Sequence, residues 1–394
     1  MSNYNFKDPL TYRELTSSEL NTEAQGVFIE SHNRVQKTYK TKVPAFHERS
    51  NYSYHVLPSL GEPVDVTYPP VFALALNNVK LVGYRCVLSS DSYFCLDESY
   101  INETERLIYL NRMSSTDSFL NEETGMVKIN DNFDFRFELR DRHIENIDET
   151  VIVIDSFEPP NYGSFLFRIL PKFKTIHNAN LNYRIIGPNF TKSMSEFYNL
   201  IDSTSEKVIS HLPNVVYNIK RAILISLRNK HAYLDDQSIN LYQELRQKYG
   251  VKTPHKKIYI TRKTANSNSY AIQNRIMLNE DALISTLINY GFEIIEPSGL
   301  SAIDQIKLFS SAKFIVTASG SAMFNVVFCH PGTKLIDIES EPHWIHAHRC
   351  LFSSLDINYG IFEATPSNPD FTTAHKPYTV NIVALMKRIK SFDV

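Results

Sequence analysis

The sequence predicts an α/β protein built from two doubly wound, Rossmann-like lobes with a cleft between them, and three observations predict it. The chain has 394 residues, too many for one ordinary domain. Short β-branched apolar runs alternate with helix-period segments after Glu149, and the alternation resumes after Pro254. Between the two stretches, Asp235–Tyr249 has Ile239, Tyr242 and Leu245 at helical spacing and stops at Gly250, and Thr253-Pro254 then marks a boundary.

In chain order, residues 1 to about 70 are polar and interrupted by Pro44, Pro58, Pro63, Pro69 and Pro70, which predicts loops and one early helix. The runs Val71–Leu76, Val79–Val82, Arg85–Leu88 and Tyr93–Leu96, separated by Asn77-Asn78 and Ser89-Ser90-Asp91, predict a small antiparallel meander. The first lobe then reads as strand Val151–Ile154, helix Phe165–Leu170, strand Tyr183–Ile186, helix Ser193–Ile201 and strand Ala222–Ser226. The second reads as strands Lys257–Thr261, Phe292–Ile295, Phe314–Thr317 and Lys334–Ile338, interleaved with helices Leu278–Tyr290, Ala302–Ser311 and Ala322–Phe328. Tyr378–Ser391 predicts an amphipathic helix that either crosses back onto the first lobe or pairs with another subunit. The expected divisions are 1–234, a connecting helix at 235–252, 253–375, and a terminal helix at 376–394.

The net charge of −2, from 41 basic and 43 acidic residues, provides no overall field for nucleic acid, so any anion site has to be local. Four scattered cysteines with no CxxC pair indicate neither a disulfide framework nor a zinc knuckle, and fit a reducing cytoplasm. No apolar run approaches a membrane span, and peripheral association with the inner face of a membrane is compatible with the composition. His343, His346 and His348 lie near Cys350, but their spacing matches no standard zinc pattern, so no metal is expected.

Chemistry concentrates in Phe314–Phe328, FIVTASGSAMFNVVF, where an apolar strand enters the small-residue turn Ala318-Ser319-Gly320-Ser321-Ala322 and then a helix. Small residues admit a ligand close to the backbone and a helix start attracts anions, so the turn suits a diphosphate; read alone it is equally a tight crossover without a ligand. Arg262 closes a strand at the carboxyl edge and Arg275 precedes a helix, and two guanidinium groups make a pyrophosphate clamp. Glu339 ends the next strand, where a carboxylate accepts hydrogen bonds from ribose hydroxyls, and His343 follows closely enough to reach the same ligand. Asn279-Glu280 reads as a helix cap. In the first lobe Asp155 and Glu158 occupy a strand-to-helix loop expected to face the cleft, and either carboxylate could take a proton there or simply cap a helix.

These residues resemble glycosyltransferase family 61. KKIYITRK at 256–263, the R-x-x-x-N-E element from Arg275 to Glu280, Gly291-Phe292-Glu293 with Leu300 to Gln305, and VTASGSAMFNVVFCHPGTKLIDIE from Val316 to Glu339 are similar to its ordered motifs. Asn161-Tyr162 and Leu170-Pro171 resemble its first-lobe element. The resemblance implies a GT-B fold, an inverting transfer, no obligatory cofactor or metal, and a nucleotide-sugar donor, taken here as a UDP-sugar, as co-substrate. It implies that Arg262, Arg275, Gly320, Ser321, Asn325 and Glu339 lie at or support the donor site. A glycan or glycolipid acceptor of capsule or lipopolysaccharide type follows from the same likeness. Two positions depart from the family: Ser319 and Ser164 stand where it carries histidines, which moves the base assignment to Asp155 or Glu158. Two other readings compete, an inactive binding scaffold of a glycan-assembly complex and a pyruvyltransferase or epimerase on the same architecture.

Overall fold

The computed structural model describes residues 3–31, 36–40, 44–48, 63–83, 85–98, 103–114, 126–128, 134–137, 139, 142–156, 161–201, 208–212, 214–230, 232–261, 276–340, 345–367 and 376–393. The chain divides into two compact units, Met1–Gln36 with Thr67–Lys230, and Lys37–Val66 with His231–Val394. Each unit carries its own large sheet.

The second unit holds a six-stranded sheet in the order Glu293–Ile295, Lys256–Ile260, Ala312–Ala318, Lys334–Glu339, Asn358–Glu363, His47–Glu48. Every neighbouring pair is parallel. Parallel strands are covered on both faces and therefore read as continuous apolar runs. Ile258, Tyr259 and Ile260, and Phe314, Ile315 and Val316, are accordingly buried along their whole length. Helix Asp236–Tyr249 begins at Asp235, whose side chain accepts from the Ser238 amide, and Ala302–Ser311 begins in the same way at Ser301.

Two elements of this unit differ from the expected ones and two more were not expected. The segment after the small-residue turn, Ser321–Phe328, is a 3-10 helix, and the Met323 amide bonds to the Gly320 carbonyl at its start. The C-terminal helix starts only at Ile382, because Tyr378–Thr379 pairs with Thr365–Pro366 and Asn381 accepts from the Ala384 amide. Part of its apolar face packs within its own unit: Leu385, Met386 and Ile389 join Phe314, Ile336 and Ile338 in one core cluster. Helix Ile345–Ser354 and strand Asn358–Glu363 follow the last expected strand and complete the sheet.

The first unit is a mixed eleven-stranded sheet. Strands His143–Val153, Arg184–Pro188 and Val208–His211 run parallel, and Val71–Val82 runs antiparallel to Val215–Ile225. The expected meander is present as Val71–Val82, Cys86–Leu88 and Tyr93–Cys95, but as part of this sheet rather than apart from it. Asn77-Asn78 does not end a strand. Asn78 takes φ 52, a conformation asparagine tolerates, and pairing continues on both sides, Asn77 with Arg221 and Val79 with Ile219. The polar N-terminal stretch contributes strands Asn3–Phe6 and Gly26–Ser31 as well as the short helix Ser17–Leu20, which a Thr16/Glu19 capping box starts. The apolar stretch expected as a helix winds as a π-helix over Phe165–Ile169. Among the described residues no helix is long and apolar enough to cross a membrane.

Candidate functional site

In the all-parallel sheet the direction of winding reverses between two neighbouring strands. From Lys256–Ile260 the chain crosses outward to Glu293–Ile295, and the next crossover returns past its start to Ala312–Ala318 on the other side. Connections that leave in opposite directions open a crevice at the strands' carboxyl ends, where ligands of open α/β sheets bind. Thr261 follows the first of these strands and Ser319-Gly320 follows the second.

The turn is held from several sides. The Ser319 amide donates to the Ile338 carbonyl at 2.9 Å, which hangs the turn on the neighbouring strand. Asn325 is fully buried, and its Nδ2 donates to the Ala322 carbonyl at 3.1 Å, pinning the first turn of the helix. A helix start carries amides without intrahelical acceptors and a partial positive charge, so Ser321 and Ala322 stand where an anion is favoured. Across the crevice, Glu280 Oε1 accepts from Tyr259 Oη at 2.9 Å and from Thr261 Oγ1 at 2.8 Å. Burial and the Glu280 carboxylate push the Tyr259 phenol well up, which keeps it a donor. The cap expected of Asn279-Glu280 is therefore not made by either side chain: Glu280 braces the strand end, and Asn279 exchanges two bonds with the Val380 backbone, 2.7 and 3.0 Å.

The next strand brings an acidic face to the same end of the sheet. Asp337 and Glu339 are two residues apart and share one face, while Ile336 and Ile338 enter the apolar core on the other. His348, on Ile345–Ser354, sets Nδ1 2.9 Å from Asp337 Oδ2 and 3.6 Å from Glu339 Oε2. Glu363 lies in register beside Glu339, and its Oε1 meets His47 Nε2 at 2.6 Å.

In the first unit, Asp155 lies just past strand His143–Val153 and is fully buried, its Oδ2 bonded to His211 Nδ1. Burial pushes the Asp155 carboxyl up, and His211 and Lys172 partly offset that. Lys172 Nζ donates to the Asp155 carbonyl and to Asp97 Oδ2, both at 2.8 Å, and Arg85 closes on Asp97 Oδ1 at 2.7 Å.

Residues 162–336 match the family model of Glycosyltransferase 61. Over that segment, somewhat less than half of the chain, the sequence is similar to the glycosyltransferase 61 family. The match marks it as a glycosyltransferase, a class that uses a sugar donor and an acceptor. A comparison with curated proteins finds no match.

The glycosyltransferase 61 segment spans both sides of the crevice and contains Ser319, Gly320, Ser321, Ala322 and Asn325, all of which the fold brings to one turn. Arg262 and Arg275 are also within the segment but lie outside the described residues, as do Glu158 and His343, so no contact is assigned to them. Asp155 and Glu339 fall outside the matched segment; both are buried and both face a histidine. The sequence reading missed His211, Asp337, Lys172 and Asp97 as partners of these acids. They are separated from their partners by between 11 and 75 residues, and no spacing rule links such positions.

Proposed function

We propose that this glycosyltransferase is a GT-B-type enzyme that moves a sugar, with inversion, from a nucleoside diphosphate donor, in the first instance a UDP-sugar, to a surface glycan of capsule or lipopolysaccharide type. The observation that carries the reading is the small-residue turn Ser319–Ala322 at the point where the all-parallel sheet reverses its winding. A diphosphate seated there meets backbone amides at the helix start, and Arg262 and Arg275 supply the cations that complete the clamp. Arg262 follows Thr261 directly in the chain, after the strand on the other side of that reversal. Glu339 and Asn325 support the turn from within the protein, consistent with their burial.

For the acceptor, Glu158 is the direct candidate to take the hydroxyl proton. Asp155 stands behind it as the second candidate, its carboxylate bonded to the equally buried His211 ring. Donor binding is tested by melting the full chain with UDP, GDP, ADP and TDP. A nucleotide at a hundredfold excess over its Kd stabilises the fold by about 2.7 kcal/mol, so a rise of several degrees is expected with at least one of them and none in Arg262→Ala. Silence from all four sinks the donor reading. Slow hydrolysis of a nucleotide sugar, lost in Arg262→Ala and in Glu158→Ala, separates a working transferase from an inactive scaffold.

A further inference from the structure

We propose that Asp337, Glu339 and His348 form a binding site for a divalent first-row transition cation, next to the turn on which the donor reading rests. The three side chains come from two elements and converge: one ligand atom from each lies within 4.8 Å of the others, and all three residues are buried. His348 Nδ1 is 2.9 Å from Asp337 Oδ2 and 3.6 Å from Glu339 Oε2. Ligands about 2.0–2.2 Å from one cation stand about 3 to 3.5 Å from each other, so these atoms need only small movements to share an ion.

A second observation points to a ligand independently of that spacing. Asp337 Oδ1 is buried and meets no hydrogen-bond donor among the described residues. A histidine bridging two carboxylates answers for Oδ2 and leaves this oxygen unserved, at a cost that buried polar groups rarely bear. A cation chelated by Asp337 takes up both oxygens. The charges also balance, since two carboxylates and a neutral imidazole compensate an ion of charge two.

The ligand set is one nitrogen and two carboxylates, with no thiolate. It suits Mn²⁺, Fe²⁺ or Zn²⁺ better than Ca²⁺ or Mg²⁺, which prefer all-oxygen shells. The histidine ring is fixed by Phe324 at 6.0 Å, edge on, and by Phe352 at 6.3 Å. Phe324 belongs to the helix that follows the Ser319–Ala322 turn, so the cation joins that helix, strand Lys334–Glu339 and helix Ile345–Ser354 at one point.

The probe is Mn²⁺ alone, titrated into the full chain without nucleotide and followed by electron paramagnetic resonance. One ion per chain is expected, with a nitrogen modulation from the imidazole in the spectrum of the unaltered protein. His348→Gln should abolish that modulation, and both it and Asp337→Asn should weaken uptake about tenfold or more, as losses within a metal site do. No uptake of Mn²⁺, and none of Zn²⁺ in competition, overturns the proposal. So does uptake without the nitrogen signal, a result that needs no variant to fold. Because the probe contains no nucleotide, metal uptake alongside a failed nucleotide melt would reject the donor reading and keep the site.

Discussion

Asp97 and Lys172 are both fully buried, and burial opposes the charge on each. On Asp97 the desolvation is outweighed by two cations, Arg85 and Lys172, which hold the carboxyl below its ordinary range. On Lys172 burial prevails and the ammonium is pulled down, because it shares its anion with Arg85. A carboxyl depressed in the folded state adds stability that is complete above its unfolded value, about 3.9, and is lost as pH falls through the folded value. Urea midpoints should therefore drop on acidification below about pH 4 in the native chain, and the drop should be shallower in Asp97→Asn. At neutral pH the same substitution removes the anion that the two buried cations share, leaving Arg85 with Glu98 at 3.3 Å and Lys172 with the Asp155 carbonyl at 2.8 Å, and is expected to cost about 3 kcal/mol. Equal midpoints at pH 7 would show that the network contributes nothing.

At the scale of elements, the two-residue strand His47–Glu48 is a small piece with several anchors. The Phe46 ring lies over Gly360 on the neighbouring strand: a Cβ at Gly360 would stand 2.3 Å from Phe46 Cε1. Phe46 also meets Phe392 edge on at 5.8 Å, and Arg388 bonds Glu48 Oε2 at 2.7 Å. Gly360→Ala forces the ring out of its seat, an overpacking expected to cost about 1–3 kcal/mol. In a Phe46→Ala background the same change should cost much less. A double-mutant cycle in urea reads the coupling, and additive losses would show that ring and glycine are not in conflict.

At the scale of the whole chain, the two units are not consecutive in sequence. Residues 37–66 are counted with the second unit although the first unit flanks them on both sides. A fragment from His231 to Val394 therefore lacks the edge strand His47–Glu48, the partner of Glu363 and the Glu48 end of the Arg388 pair. It should melt below the corresponding transition of the full chain, and a peptide of residues 37–66 should restore part of the loss. A fragment as stable alone as in the full chain would mean that this segment adds no stability.

Local pattern determined a good deal. The strands of the second sheet up to Lys334–Glu339, the helix Ala302–Ser311 and the small-residue turn between strand and helix were readable because each is set by a short run of apolar period, cap or turn residues. So was the resemblance that the family match over 162–336 bears out. Tertiary structure decided the rest. The reversal of winding beside the Ser319–Ala322 turn is a property of strand order, which no single segment encodes. The pairing of Asp337 and Glu339 with His348, and of Asp155 with His211, joins elements that only packing brings together. A buried charge takes its meaning from its neighbours in space, and the sequence displays only its neighbours along the chain.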